Sequence, residues 1–188
     1  MIKIGITGSI SSGKTTASKF ISKKRGSLFS ADKVVKKLYK EKKFQQILKK
    51  RLKINSKINL KKEIKKNISK NNKYLKIIEK IIHPLVRKEM NIFLKKNKKN
   101  KFLFLEIPLL IESKLIRHFD VLIFIKSKKN LRLKRYLSNG GTKKLFVILD
   151  KQQLKDTKKM KYCDHVVVNN TSLSILKRKL LNIIKKYE

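Results

Sequence analysis

Residues Gly8-Ser9-Ile10-Ser11-Ser12-Gly13-Lys14-Thr15 carry the spacing G-x-x-x-x-G-K-[ST]. Such a run handles a polyphosphate. Its glycines let the backbone turn so that successive N–H groups point inward at an anion. The helix that follows adds the partial positive charge of its first turn. Lys14 is placed to reach the β- and γ-phosphates, and the Thr15 hydroxyl to ligate Mg²⁺. Gly8, Ser11, Ser12, Gly13, Lys14, Thr15 and Thr16 are therefore the expected nucleotide-binding residues. The plain alternative is an ordinary strand–turn–helix that holds a lysine. Context decides against it, because a strand pattern precedes the run and a helical one follows. A phosphate cradle suits a kinase or a GTPase. The sequence has no N-K-x-D element for reading guanine, which favours a kinase.

These residues need elements to hold them. Residues 2–6 read as a short buried strand, and a helix bearing Ala17, Phe20 and Ile21 on one face follows the loop. Gly26 stops that helix, and residues 27–30 form a short second strand. From Asp32 to about Lys99 the apolar residues recur at helical spacing with no strand signal. Asn71-Asn72 marks a turn there, and Pro84 a kink or break. This stretch reads as an insertion between strands. Residues 101–107, 120–125 and 165–168 are further strands. Helices are expected over 130–137, 144–162 and 173–186, with Gly140-Gly141 breaking the first from the second. Strands that alternate with helices imply a parallel sheet covered on both faces.

Composition sets the outer bounds. The chain has 188 residues, 52 of them Lys or Arg against 12 Asp or Glu, for a net charge of +40. Lysine supplies nearly all of the excess, with Ile and Asn abundant beside it, the pattern of a surface drifted toward AT-rich codons. A nucleic-acid-binding protein also gains from such charge. Either way, anionic substrates are attracted. No apolar run approaches the roughly 18 residues of a membrane span. The start, MIKIGITGSISSGKTT, lacks a signal-peptide core. The single cysteine, Cys163, allows no internal disulfide and fits a reducing cytoplasm. Cys163, His118 and His165 have no metal-ligand spacing.

Beyond the phosphate loop, five pieces stand in order. GITGSISSGKT opens the chain's chemistry, and Ser30-Ala31-Asp32 ends the second strand. His83-Pro84 is followed shortly by Arg87, and Glu106-Ile107-Pro108-Leu109-Leu110-Ile111-Glu112 ends the third strand. Cys163-Asp164 leads to Asn169, with Gln153 eleven residues before that Asp. Over nearly the whole chain this resembles the dephospho-CoA kinase family. The family's segments read G-L-T-G-G-I-G-S-G-K-S/T, D-A-D, His-Pro then Arg, D-x-P-L-L-x-E, and Ala-Asp then Asn. Here Ser9 and Ser11 stand where the family has glycines, which requires backbone angles outside the left-handed region. Ser30 replaces the first Asp of D-A-D, and Asn139 the second of two lid arginines. Arg132, Lys143 or Lys144 is then expected to stand in for that arginine.

The resemblance implies a P-loop kinase fold: a three-layer α/β sandwich with a five-stranded parallel sheet, a helical acceptor-binding insertion near 33–99 and a short lid near 134–150. It implies transfer of the ATP γ-phosphoryl group to the 3′-hydroxyl of dephospho-CoA, with Mg²⁺, by a cytoplasmic monomer. Asp32 is the implied general base; its local alternative is an N-cap for a helix beginning near Lys33. Lys14 and Arg135 are the other implied catalytic residues, Arg135 stabilising charge on the phosphoryl group or holding ATP under the lid. His83 and Arg87 would meet the acceptor; a packed histidine and a solvated basic helix face are the plainer readings. Glu106 orders metal-bound water or caps its strand, and Glu112 supports the site from behind. Two rivals remain: another small-molecule P-loop kinase, acting on a nucleoside monophosphate or hydroxylated metabolite, and a basic nucleic-acid-binding module with a degenerate loop.

Overall fold

The computed structural model of the chain describes residues 1–55, 59–71 and 73–188. Of the expected Asn71-Asn72 turn, Asn72 lies outside the described residues. The structure divides into two compact units, one formed by Met1–Ser30 with Phe93–Glu188 and the other by Ala31–Ile92.

The first unit holds the sheet. Its strands are β1 (Ile2–Thr7), β2 (Gly26–Ser30), β3 (Phe102–Glu106), β4 (Val121–Lys126) and β5 (His165–Val168). They lie in the order β2-β3-β1-β4-β5, and every pairing is parallel. Parallel neighbours need crossovers long enough to carry a helix, which is what the alternating pattern supplies. β3 is buried along its whole length, as a near-continuous apolar run in a two-faced sheet must be. Ile4 pairs with Phe104 on one side and Val121 on the other, so β1 sits at the centre. The sequence leaves β1 with neighbours on both sides, β3 and β4, reached by crossovers that run in opposite directions. The crevice beyond its carboxyl end is where such sheets bind ligands.

One face is covered by α1 (Lys14–Ser22) and α9 (Leu173–Ile184). Ala17 and Ile21 from α1 and Leu176, Leu180 and Ile184 from α9 join Ile4, Ile6, Phe104, Ile123 and Ile125 in one core. Ser172 caps α9 by accepting the Ile175 N–H at 3.4 Å. After β4 come α6 (Lys129–Ser138), α7 (Lys143–Gln152) and α8 (Asp156–Met160). The single helix expected over 144–162 is thus two. Gln153 is extended, at φ −82° and ψ 147°, and ends α7.

The regular elements of the second unit are, among its described residues, all helices: α2 (Ala31–Leu38), α3 (Lys42–Leu52), α4 (Leu60–Lys70) and most of α5 (Lys73–Lys96). Leu38, Phe44, Leu48, Leu52, Ile64, Ile68, Ile78 and Ile82 are buried. Tyr39 meets Phe44 edge-on at 5.4 Å between ring centroids. Lys53, left-handed at φ 53°, closes α3 by donating its N–H to the Lys49 and Lys50 carbonyls. Of the kink or break expected at Pro84, the break does not occur: α5 continues through it as one helix. Proline removes one N–H and crowds one carbonyl, which a 24-residue helix with apolar residues on either side of the site absorbs.

Candidate active site

The loop after β1 is fixed by close approaches. Thr7 Oγ1 donates to the Pro108 carbonyl at 3.1 Å, joining the ends of β1 and β3. Gly8 has φ 148°, and a Cβ there would lie 2.4 Å from the Ile125 carbonyl oxygen. Gly13 has φ 101°, and its Cβ would lie 2.2 Å from Asn169 Nδ2. Gly8 excludes a side chain; at Gly13 one would be strained by the positive φ and would displace Asn169. Ser11 corrects the expectation drawn from the sequence: it is left-handed, at φ 55°. The loop closes by a Ser12 N–H bond to the Ser9 carbonyl at 3.1 Å, and this geometry overrides the local preference of a serine.

Helical bonding begins with Ala17 N–H to the Gly13 carbonyl, so the N–H groups of the preceding turn have no carbonyl to reach within α1. The Lys14 side chain is almost fully buried and folds back, donating from Nζ to the Ser9 carbonyl at 2.9 Å. The Ser12 hydroxyl is buried with no hydrogen-bond partner in the structure. N–H groups with no carbonyl to reach within α1, an ammonium folded onto the loop and an orphaned hydroxyl fit a polyphosphate.

Beside the loop lies an oxygen pair. Thr15 Oγ1 donates to Glu106 Oε1 at 2.5 Å, and Ser18 Oγ to Glu106 Oε2 at 3.3 Å. Glu106 is 1% exposed, and it tethers Thr15 rather than capping β3. These are hard donors suited to Mg²⁺. Among the described residues no cluster of three or more His, Cys, Asp or Glu could hold a metal. The donor set therefore fits an ion that keeps waters and phosphate oxygens in its shell.

Arg135 reaches the same loop from α6. Its guanidinium donates to the Ser12 carbonyl at 3.4 Å, Ser127 Oγ at 3.0 Å and the Asn169 carbonyl at 3.1 Å. Asn169 Nδ2 donates to the Ser12 carbonyl at 2.8 Å. Arg132 does not stand in for the missing lid arginine. It is buried, 2.6 Å from Asp150 Oδ1, and lies over the Phe146 ring at 5.7 Å. Asn139 at the end of α6 donates to the Arg135 carbonyl at 2.7 Å.

Of the expected site residues, Gly8, Ser11, Ser12, Gly13, Lys14, Thr15, Thr16 and Arg135 lie in the first unit, and the loop contacts above join Arg135 to Ser12. Asp32, His83 and Arg87 lie in the second. Asp32 is exposed in the first turn of α2, which begins at Ala31, so it is not the N-cap of that helix. His83 and Arg87 stand one turn apart on α5. Burial, and then the Arg87 charge, hold the half-buried His83 below the usual histidine range. Burial and the neighbouring Asp164 push the Cys163 thiol up to about 12, leaving it protonated and inert. Sequence reasoning missed Ser127, Asp150, Asp156 and Lys159, whose partners lie far along the chain and leave no local signal.

A family model described as dephospho-CoA kinase matches residues 2–174. The chain is 30% identical over 190 aligned residues to a dephospho-CoA kinase of Rickettsia typhi, covering 100% of this chain and 98% of that one. A solved dephospho-CoA kinase from Campylobacter jejuni superposes with a TM-score of 0.62 at 25% identity, covering 98% and 96% of the two chains. A shikimate kinase from Acinetobacter baumannii shares the fold, with a TM-score of 0.61 at 11% identity over 100% and 95%.

Proposed function

The chain belongs to the dephospho-CoA kinase family and is an ATP-dependent phosphotransferase; from that premise we propose how its own residues move the γ-phosphoryl group of ATP to the ribose 3′-hydroxyl of dephospho-CoA, giving coenzyme A. The observation that carries the reading is the loop after β1, with Lys14 folded onto Ser9 and Thr15 held by Glu106.

Gly8, Ser11, Ser12, Gly13, Lys14, Thr15 and Thr16 wrap the β- and γ-phosphates, the backbone N–H groups and the Lys14 ammonium doing the binding. Thr15 would hold Mg²⁺, with Glu106 behind it ordering the ion's water, and the ion would offset charge on the phosphate oxygens. Arg135 donates to phosphate oxygens across from Lys14 as charge builds on the transferring group. Asp32 accepts the proton of the acceptor hydroxyl as that oxygen attacks. His83 and Arg87 bind the acceptor, Arg87 by pairing with its phosphates. The helical stretch near 33–99 serves as the acceptor-binding insertion and 134–150 as the lid, so that closure excludes water from the transfer. The protein works as a cytoplasmic monomer on two polyanionic small molecules. Positioning and charge neutralisation supply most of the rate, since phosphoryl transfer leaves the protein little covalent work.

The test is ATP turnover against a panel of acceptors, with the product identified by mass. Dephospho-CoA is expected to stimulate turnover and to appear as coenzyme A. Stimulation by a nucleoside monophosphate instead, or no turnover with tight, salt-sensitive nucleic-acid binding, overturns the reading. Asp32→Asn is expected to lower kcat by about 100-fold or more with KM for ATP nearly unchanged. Near-normal turnover would remove Asp32 from the base role.

A further inference from the structure

We propose that the junction between α7 and α8 is a strap that holds the tip of the phosphate loop in its binding shape, anchored by the ion pair of half-buried Glu112 with buried Lys159. The proposal deepens the kinase reading and rests on it.

The strap touches the loop at two consecutive residues. The Ile10 N–H donates to Gln153 Oε1 at 3.1 Å, and the Ser9 hydroxyl donates to Asp156 Oδ1. Ser9 is buried, and its carbonyl is the acceptor for Lys14 Nζ at 2.9 Å. Whatever fixes Ser9 therefore fixes the ammonium that meets the phosphates. Gln153 can reach Ile10 because α7 stops there, in the extended conformation that splits the two helices. The next residue is also held: the Leu154 N–H donates to Glu112 Oε1 at 3.1 Å.

The same carboxylate oxygen lies 2.6 Å from Lys159 Nζ, and Lys159 is wholly buried. A buried ammonium costs several kcal/mol unless paired, so the pair resists separation. Glu112 sits in the tight turn after β3, where Ser113 N–H bonds to the Leu109 carbonyl at 2.9 Å and Leu115 N–H to the Leu110 carbonyl at 3.0 Å. The anchor thus ties α8 to the end of a central strand, and α8 with its preceding residues ties the loop tip. Gln153, Asp156, Glu112 and Lys159 are positioning residues. Asp156 brings a negative charge toward a phosphate site, which opposes the ligand. Its contribution is the bond it accepts from Ser9, not its charge.

The test measures the ATP dissociation constant by calorimetry without acceptor, beside steady-state kinetics of the full chain. Gln153→Ala and Asp156→Ala are each expected to weaken ATP binding about five-fold, the loss of one hydrogen bond, with KM for ATP rising and kcat held. Asp156→Asn keeps an acceptor for Ser9 and is expected to bind ATP at least as well as the parent. Ser9→Ala combined with Asp156→Ala should be no worse than either alone. Lys159→Met is expected to lower the melting temperature and weaken ATP, and adding Glu112→Gln to recover part of both. If Lys159→Met does not fold, the Gln153 and Asp156 variants decide alone. ATP affinity within two-fold of the parent for both alanine variants, or Asp156→Asn as damaging as Asp156→Ala, overturns the strap. A parent that binds ATP but never phosphorylates dephospho-CoA overturns the function and leaves the strap to be judged on affinity.

Discussion

Ser11 holds a left-handed backbone that a serine adopts at a cost of about 1 kcal/mol. Glycine removes that steric cost and loses about 0.5 kcal/mol to the entropy of its unfolded state. Ser11→Gly is therefore expected to stabilise the protein by about 0.5 kcal/mol, and Ser11→Val, β-branched at positive φ, to destabilise it by more than 1 kcal/mol. Thermal unfolding with and without ATP checks both. Gly8 and Gly13 offer no such latitude. At Gly8 the limit is the Ile125 backbone carbonyl, which cannot move aside; at Gly13 it is the positive φ, together with the Asn169 amide, which a side chain would displace from the Ser12 carbonyl. The motif's two glycines are thus required by tertiary contact as well as by backbone angle.

Among the elements, α6 and α7 are held together by Arg132, whose guanidinium donates to Asp150 at 2.6 Å and to the Ser127 carbonyl at 3.2 Å. Arg132→Ala leaves Asp150, among the described residues, paired with Lys129, 3.5 Å away and exposed, and is expected to cost about 2 kcal/mol in denaturant unfolding. On α5, His83 is held below its ordinary range by burial and then by Arg87. As pH falls through about 6.5, the unfolded chain takes up the proton first, so this contribution is present above that pH and lost below it. His165, lowered by burial and Lys186 against the opposing Asp164, acts in the same direction. His83→Gln is expected to flatten part of the fall in melting temperature between about pH 7 and 5. An unchanged slope would show that the folded chain protonates His83 freely.

For the whole molecule, the net charge of +40 meets two polyanionic substrates. Raising ionic strength from about 0.01 to 0.1 M shrinks the screening length from about 30 to 10 Å. The kcat/KM for dephospho-CoA is expected to fall several-fold over that range, with kcat little changed, in initial-rate measurements. A flat response would mean the lysines serve solubility alone. The phosphate loop was legible because its demands are local: glycines at a fixed interval, a strand before and a helix after. The parallel sheet was legible for a related reason, since apolar runs broken by helical spacing leave few arrangements. The division of residues 144–162 into two helices was not legible. Local helical preference runs through Gln153, and the backbone N–H of the next residue, Leu154, is taken instead by Glu112, distant in sequence. The same holds for the partners of Ser12, Thr15 and Lys159. Sequence alone determined that a phosphate-loop motif stands between a short buried strand and a helix, because spacing and periodicity act over a few residues. Tertiary structure alone decided which carboxylate, amide and guanidinium surround that loop, because those groups meet only when strands and helices far apart in the chain are packed together.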